Sequence, residues 1–204
     1  MIELPRVEGG FRAALIDPPW AYQSRTALQS ANWNSRRDAE KHYSVMSLEE
    51  IKALPVRSVM SKDGFHCFLW ITGPFMDKGF DVLKAYGCKY STVAFVWPKL
   101  KRSFQADQFR FTPTIDSDFH VSLGLTTRSQ CEFVLLGRRG NVRRNAKDVR
   151  QLILAPRREH SRKPDDVYTR IERYCDGPYL ELFGRESRPG WTVWGNQSTL
   201  FDGK

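Results

Sequence analysis

Cysteine is scarce in this chain. Cys67, Cys88, Cys131 and Cys175 are widely separated, with no Cys-x-x-Cys spacing, which argues against a zinc site or a dithiol redox motif and predicts core thiols in a reducing compartment. Long apolar runs are missing too: none reaches the roughly 20 residues of a membrane-spanning helix. The acidic, proline-containing start Met1-Ile-Glu-Leu-Pro5 is not the pattern of a secretory leader. A cytoplasmic protein with no membrane partner is expected. A Gly-x-Gly-x-x-Gly fingerprint is absent as well, which disfavours nicotinamide chemistry.

What is present is a substantial apolar complement and an excess of positive charge. The 204 residues are 41% hydrophobic and 13% aromatic, enough to bury a core, and the length corresponds to about one domain. A single unit over residues 1–204 is expected. The net charge of +9 and a sequence pI near 9.6 favour a polyanionic partner. The charge is clustered: Arg138, Arg139, Arg143, Arg144, Lys147 and Arg150 fall together, and so do Arg157, Arg158, Arg162 and Lys163. Read alone, either cluster is equally a solvated face.

The most informative stretch is Leu15-Ile16-Asp17-Pro18-Pro19-Trp20. An apolar run of strand length, Phe11 to Ile16, delivers Asp17 to a strand's carboxyl end, where open α/β sheets bind their ligands. Pro18 and Pro19 have no N–H and a fixed φ, so the strand stops there and the carbonyls between Asp17 and Trp20 are expected to stay free as acceptors. Acceptors beside the rings of Trp20 and Tyr22 suit an exocyclic amine on a planar base such as adenine. The amine's lone pair is delocalised into the ring, so acceptors that hold its protons would help it towards tetrahedral geometry as it attacks an electrophilic methyl group. Asp17 would orient the amine and stabilise developing positive charge. By itself the tripeptide Asp-Pro-Pro is also simply a strand end, a proline turn and a solvated acid.

Elsewhere the pattern alternates strands and helices. Residues 21–41 are a long polar stretch with Arg25, Arg36 and Arg37, readable as a flap over the base or as a plain connection. Ser47-Leu-Glu-Glu50 has capping-box spacing and predicts a short helix to Leu54, stopped by Pro55. Phe65 to Ile71 predicts a buried strand, residues 75–86 a helix ended by Gly87, and Tyr90 to Trp97 a strand, together the repeating unit of a parallel sheet. Trp97 and Lys99 fall at a strand end, hence at the ligand edge, although Trp97 also fits as a core aromatic. Leu100 to Leu123 reads as a second irregular element over the substrate, followed by Arg128 and the strand Phe133 to Leu136. Further strands are predicted at Gln151 to Leu154, Tyr179 to Phe183 and Trp191 to Trp194. Lys163-Pro164 opens a helix to about Cys175 with Pro164 at an early helical position. About seven strands result.

Six segments occur in a telling order: Asp17-Pro-Pro-Trp20, His42-Tyr-Ser-Val-Met-Ser47-Leu-Glu-Glu-Ile51, Phe68-Leu-Trp-Ile71, Lys163-Pro164, Glu181-Leu-Phe-Gly-Arg185 and Gly195-Asn-Gln197. Over nearly its whole length the chain resembles the Asp-Pro-Pro-Trp adenine-N6 methyltransferases, the family of the eukaryotic mRNA adenosine methyltransferase catalytic subunit and its bacterial and phage DNA-methylating relatives. The resemblance implies an α/β, Rossmann-like methyltransferase sheet with flanking helices and a permuted motif order. It implies S-adenosylmethionine as cofactor and transfer of its methyl group to adenine N6 in nucleic acid, DNA before RNA, in a prokaryotic or phage setting. The catalytic set is Asp17, Pro18, Pro19 and Trp20. Asp17, Lys163, Glu181, Phe183, Arg185, Asn196 and Gln197 are expected at the cofactor, with Lys163 on its methionyl end and the Asn196-Gln197 amides on ribose hydroxyls. Tyr22, Arg36, Arg37, Trp97, Lys99 and Arg128 are expected at the substrate. Two departures stand out. Relatives often carry Thr-Arg-Asn where this chain has Thr127-Arg128-Ser129, and Pro-His-Asn near Glu186-Ser-Arg-Pro189. A catalytically silent nucleic-acid-binding partner is the alternative, against which the intact Asp17 argues; the same acid argues against cytosine-N4 or a protein amide as acceptor.

Overall fold

A computed structural model of the chain describes residues 2–21, 45–104, 115–122, 127–159 and 162–203. Its centre is a seven-stranded sheet made of β1 (Ala13–Ile16), β2 (Phe65–Ile71), β3 (Lys89–Leu100), β4 (Cys131–Arg139), β5 (Ala155–Pro156), β6 (Tyr179–Leu182) and β7 (Trp191–Trp194). The strands lie in the order β5-β3-β4-β2-β1-β6-β7. β1 pairs parallel with β2 and β6, β6 with β7, and β3 with β5, whereas β4 is antiparallel to both β2 and β3. This is the Rossmann-like α/β sheet expected.

One topological expectation is corrected. The strand-helix-strand unit of β2, helix α2 (Met76–Ala85) and β3 does not place its strands side by side. The crossover carries β3 two positions from β2, and β4 returns through the gap with Leu69 opposite Leu135 and Val93 opposite Leu135 on its other side. Glycine makes the helix's approach possible: a Cβ on Gly79 would lie 2.8 Å from Leu135 Cδ1, so α2 rests directly on β2 and β4.

Successive strand residues face opposite sides, and the two faces bury separate cores. Ile16, Leu69 and Leu135 pack with Ile51 of α1 (Leu48–Lys52) and with Val82 and Leu83 of α2. Leu15, Phe68, Trp70 and Val134 pack against Val167 and Ile171, while α3 (Ile115–Asp118) is a single turn between β3 and β4. Val167 and Ile171 belong to α4 (Asp166–Tyr174). The strands β2 and β7 have the predicted bounds. The predicted capping box is present, Ser47 accepting from the Glu50 N–H and Glu50 accepting from the Ser47 N–H, although α1 ends at Lys52 and a 3-10 turn follows Pro55. Phe11 contributes only an isolated bridge to Met60. The predicted strand Gln151 to Leu154 does run along β3, since the Val96 N–H donates to Gln151 and Ile153 donates back to Val96. The regular ladder, however, lies at Ala155–Pro156. Pro164 precedes the cap residue Asp165 instead of sitting inside α4. Among the described residues no helix is long and apolar enough to cross a membrane.

Candidate active site

Because β4 alone runs against the other strands, its amino end meets the carboxyl ends of the other six at one edge of the sheet. A cleft of about 1090 Å³ opens there. The cleft is lined by Asp17, Pro18, Pro19 and Trp20 after β1, Trp97 and Lys99 of β3, Glu132 of β4, Lys163 before α4, Phe183 to Arg185 after β6, and Asn196 and Gln197 after β7.

The Asp-Pro-Pro-Trp turn is more tightly tied than its sequence suggests. The Asp17 N–H donates to Leu182 O across to β6 at 3.3 Å, which fixes the acid at the crest of the sheet. Pro18 O accepts from the Trp20 N–H at 2.8 Å and Pro19 O from the Met46 N–H at 2.9 Å. The proline carbonyls are therefore not free acceptors; each retains only its second lone pair, and the Asp17 carboxylate is the principal acceptor. Trp20 is also less available than expected. It is 8% exposed, stacks on Phe75 at 5.3 Å between centroids, and donates its indole N–H to Trp70 O at 3.4 Å. Its ring is a wall of the cleft with one face already covered.

The charge at the centre of the cleft is a four-membered cluster. Lys163 Nζ lies 3.2 Å from Asp17 and 2.9 Å from Glu132, and Glu132 also accepts from Lys99 at 3.1 Å. Beneath them Lys163 sits 5.0 Å over the Trp70 ring, which meets Trp97 edge to face. Trp97 is anchored by its indole N–H donating to Ala155 O at 2.9 Å, so it serves as floor. Burial opposes ionisation of Glu132, yet Lys163 and Lys99 overcome it and hold its pKa down to about 2. Burial likewise disfavours the charge on Lys163, but Asp17 and Glu132 more than compensate and raise its pKa above the ordinary lysine value. Asp17 goes the other way: burial raises its pKa by more than Lys163 lowers it, and the Glu132 charge adds to the rise. The acid at the crest is thus the most easily protonated carboxylate of the cluster.

Glu132 was not found from sequence. Its signal is an acid opening the apolar run Glu132-Phe-Val-Leu-Leu136, which reads as ordinary strand entry. In a parallel sheet the amino end of that strand would lie at the edge remote from Asp17; the antiparallel β4 brings it into the cleft.

Across the cleft, Phe183 adopts φ +66 and directs the chain into Gly184-Arg185. A Cβ on Gly184 would approach Val193 Cγ1 to 2.4 Å and Glu181 Cδ to 2.8 Å, so only glycine lets this turn lie against β7. The turn is held from behind by the Phe201 N–H donating to Arg185 O at 2.9 Å. Glu181 itself lies below the turn. It is 6% exposed, accepts from the Tyr168 hydroxyl at 2.7 Å, and burial pushes its pKa up to about 7 despite that bond and nearby Arg188. The raised value stabilises the fold while Glu181 is neutral. That contribution is complete below the ordinary value of 4.5 and is lost as pH rises through about 7. Thermal melting of Glu181→Gln should therefore match wild type near pH 4 and exceed it near pH 8, by up to roughly 3 kcal/mol in stability. Parallel pH curves for the two proteins would refute the buried acid as the cause.

Not every predicted residue gathers here. Arg128 is exposed and is not part of the cleft lining. Tyr22, Arg36 and Arg37, with most of the predicted flap, lie outside the described residues, as do residues 105–114 of the second irregular element.

Comparison with known proteins adds a family to this geometry. The family model described as MT-A70 matches residues 11–197. The chain is 32% identical over 206 residues to the type II methyltransferase M.MunI of a Mycoplasma species, a match covering 95% of this chain and 79% of that protein. It is 32% identical to an N(6)-adenosine-methyltransferase MT-A70-like protein of Drosophila melanogaster, covering 94% of this chain and 27% of that one. To the human N(6)-adenosine-methyltransferase catalytic subunit METTL3 it is 29% identical, covering 93% and 28%. The chain thus spans most of the Mycoplasma protein and about a quarter of the animal ones.

Proposed function

The chain belongs to the MT-A70 family and is an adenine-N6 methyltransferase of nucleic acid; within that activity we propose S-adenosylmethionine as the methyl donor and DNA as the acceptor. The observation that carries the reading is the placement of Asp17, intact and at the crest of β1, in one cleft with the Phe183 to Arg185 turn and the Asn196-Gln197 amides. The cleft volume of about 1090 Å³ matches the upper end of the roughly 300–1,000 Å³ typical of one ligand. It has room for a donor and an everted base side by side.

The donor fits the residues of the β6–β7 side. Gly184 keeps the turn free of a Cβ, Arg185 supplies a cation, and Asn196 and Gln197 supply paired donors and acceptors for vicinal hydroxyls. When bound, S-adenosylmethionine supplies an electrophilic methyl group on a sulfonium. The rest is done by the chain. Asp17 accepts a proton of the N6 amine as a hydrogen bond and fixes its direction, the remaining lone pairs of Pro18 and Pro19 accept alongside it, and Trp20 and Phe75 hold the turn rigid. Asp17 need not deprotonate the amine beforehand, because the nitrogen becomes strongly acidic only once it carries the extra methyl group. Lys163 keeps the Asp17 carboxylate oriented and ionised, and Glu132 keeps Lys163 in place.

DNA is favoured over RNA because the chain matches most of a small type II methyltransferase and only about a quarter of the larger adenosine methyltransferases. A base inside a duplex has to be flipped out, at a few kcal/mol. The direct test incubates the purified chain with labelled S-adenosylmethionine and either DNA or RNA, digests each polymer and quantifies N6-methyladenine. Label in DNA supports the proposal; label confined to RNA reassigns the substrate; no label in either polymer refutes the activity.

A further inference from the structure

A second cavity, of about 740 Å³, lies at the other end of the sheet, between the amino half of β3, the carboxyl end of β4 and the last turn of α4. Phe68 and Tyr174 give it an aromatic floor, and Arg138, Arg143, Arg144 and Gln151 line it. Among the described residues none of Arg138, Arg143, Arg144, Lys147 and Arg150 forms an ion pair, and the single acid in their midst, Asp148, is taken by Arg173. Arg138, Arg143, Arg144, Lys147 and Arg150 are all exposed.

A continuous piece of chain joins this cavity to the catalytic cleft. From Gln151 it runs beside β3, with the Val96 N–H donating to Gln151 O at 3.0 Å, Ile153 donating to Val96 O at 2.9 Å and Arg157 donating to Leu100 O at 2.8 Å. Arg170 braces the same stretch from α4 through Leu152 O at 2.8 Å. Gln151 lines the basic cavity and Arg157 and Arg158 line the cleft. Six extended steps of ~3.3 Å separate them, ~20 Å in all, the rise of about six nucleotides at 3.4 Å per nucleotide of one strand. Between Arg138 and Arg158 the chain holds eight basic residues against Asp148 alone.

We propose that this edge, from the Arg138–Arg143–Arg144 cavity along residues 151–157 to Arg157 and Arg158, is a track for the sugar–phosphate backbone of the nucleic acid whose base enters the cleft. The proposal rests on the nucleic-acid substrate argued above. The guanidiniums at the cavity end carry no ion pair among the described residues, while at the cleft end Arg158 is shared with Asp165 at 2.6 Å and Arg157 lies 2.9 Å from His120. Cations on such a rigid, hydrogen-bonded edge meet a polyanion with little reorganisation, and the released counterions drive the association. The catalytic cleft needs such help from outside, because its own central charges cancel: Asp17 and Glu132 against Lys163 and Lys99.

The test compares wild type with the double variants Arg143→Ala/Arg144→Ala and Arg143→Lys/Arg144→Lys, using a fluorescent duplex of about thirty base pairs across a salt series. The alanine pair should bind at least about tenfold more weakly near 0.1 M salt, with a slope of log affinity against log salt shallower by about 2. The lysine pair should keep the wild-type slope, and melting temperature and S-adenosylmethionine binding should be unchanged in both. Unaltered affinity and slope in the alanine pair, or equal losses in both pairs, would overturn the track. A chain that binds the duplex in this arginine-dependent way but transfers no methyl group refutes the activity and leaves the track standing. A chain that methylates DNA equally well without the two arginines does the reverse.

Discussion

Asp17→Ala is expected to lower kcat by roughly 10²- to 10³-fold, the usual loss when one group stabilising developing charge is removed, with little change in melting temperature. The stability forecast follows from the ion cluster. Asp17 is a quarter exposed at its side chain, and Lys163 keeps Glu132 at 2.9 Å when Asp17 is gone, so no buried cation is stranded. The kinetic forecast follows from what remains in the cleft: the proline carbonyls already accept backbone N–H groups, leaving no second full acceptor for the amine. Asp17→Asn keeps one oxygen acceptor and the volume but loses the charge, and should fall between alanine and wild type. Because burial raises the Asp17 pKa above its ordinary 3.8, the acid limb of kcat against pH should lie above that value and report ionisation of this side chain. Near-normal turnover in Asp17→Ala, with an adenine-containing polymer as substrate, would end the assigned role.

Much of this arrangement was legible in the sequence where local patterning and tertiary structure agree. β2 and β7 are apolar runs bounded by turn residues, Ser47 and Glu50 have the spacing a capping box needs, and Asp17, Lys163, Arg185, Asn196 and Gln197 converge because each follows a strand or precedes a helix at one edge. What was not legible depends on strand direction and on partners distant in sequence. Nothing within Cys131–Arg139 encodes that β4 runs against its neighbours; that is decided when the β2–β3 crossover leaves a gap for it. Glu132 was missed for that reason. The free carbonyls of Pro18 and Pro19 failed for a related one: the donor to Pro19 is Met46, brought alongside by a bridge between Trp20 and Met46 that crosses an intervening stretch of chain. Glu181 was assigned to the cofactor by its motif, and the structure adds that its carboxyl meets the Tyr168 hydroxyl beneath the Gly184 turn. Its glycine neighbour explains part of the motif: without Gly184, the turn and Glu181 would occupy the same space.

Removal of Glu132 should damage the fold as well as the site. Its carboxylate links Lys99 and Lys163, each with only 12% of its side chain exposed. Glu132→Gln leaves two cations facing Asp17 alone, and breaking a buried pair from one side typically costs about 3–5 kcal/mol because the remaining charge is unmatched. A loss towards the lower end is expected here, since Asp17 continues to neutralise Lys163. Adding Lys99→Met to Glu132→Gln restores one cation to one anion and should recover more than half of the loss, a coupling that a purely steric account of Glu132 would not produce. The same charges act on Asp17 in a direction that kinetics can read. Glu132 raises the Asp17 pKa and Lys163 lowers it. Glu132→Gln should therefore move the acid limb of kcat to lower pH, and Lys163→Met should move it to higher pH. Opposite shifts from two neighbouring substitutions would mark the cluster as the device that sets the ionisation of the amine-orienting acid. Shifts of the same sign would mean that Asp17 does not control that limb.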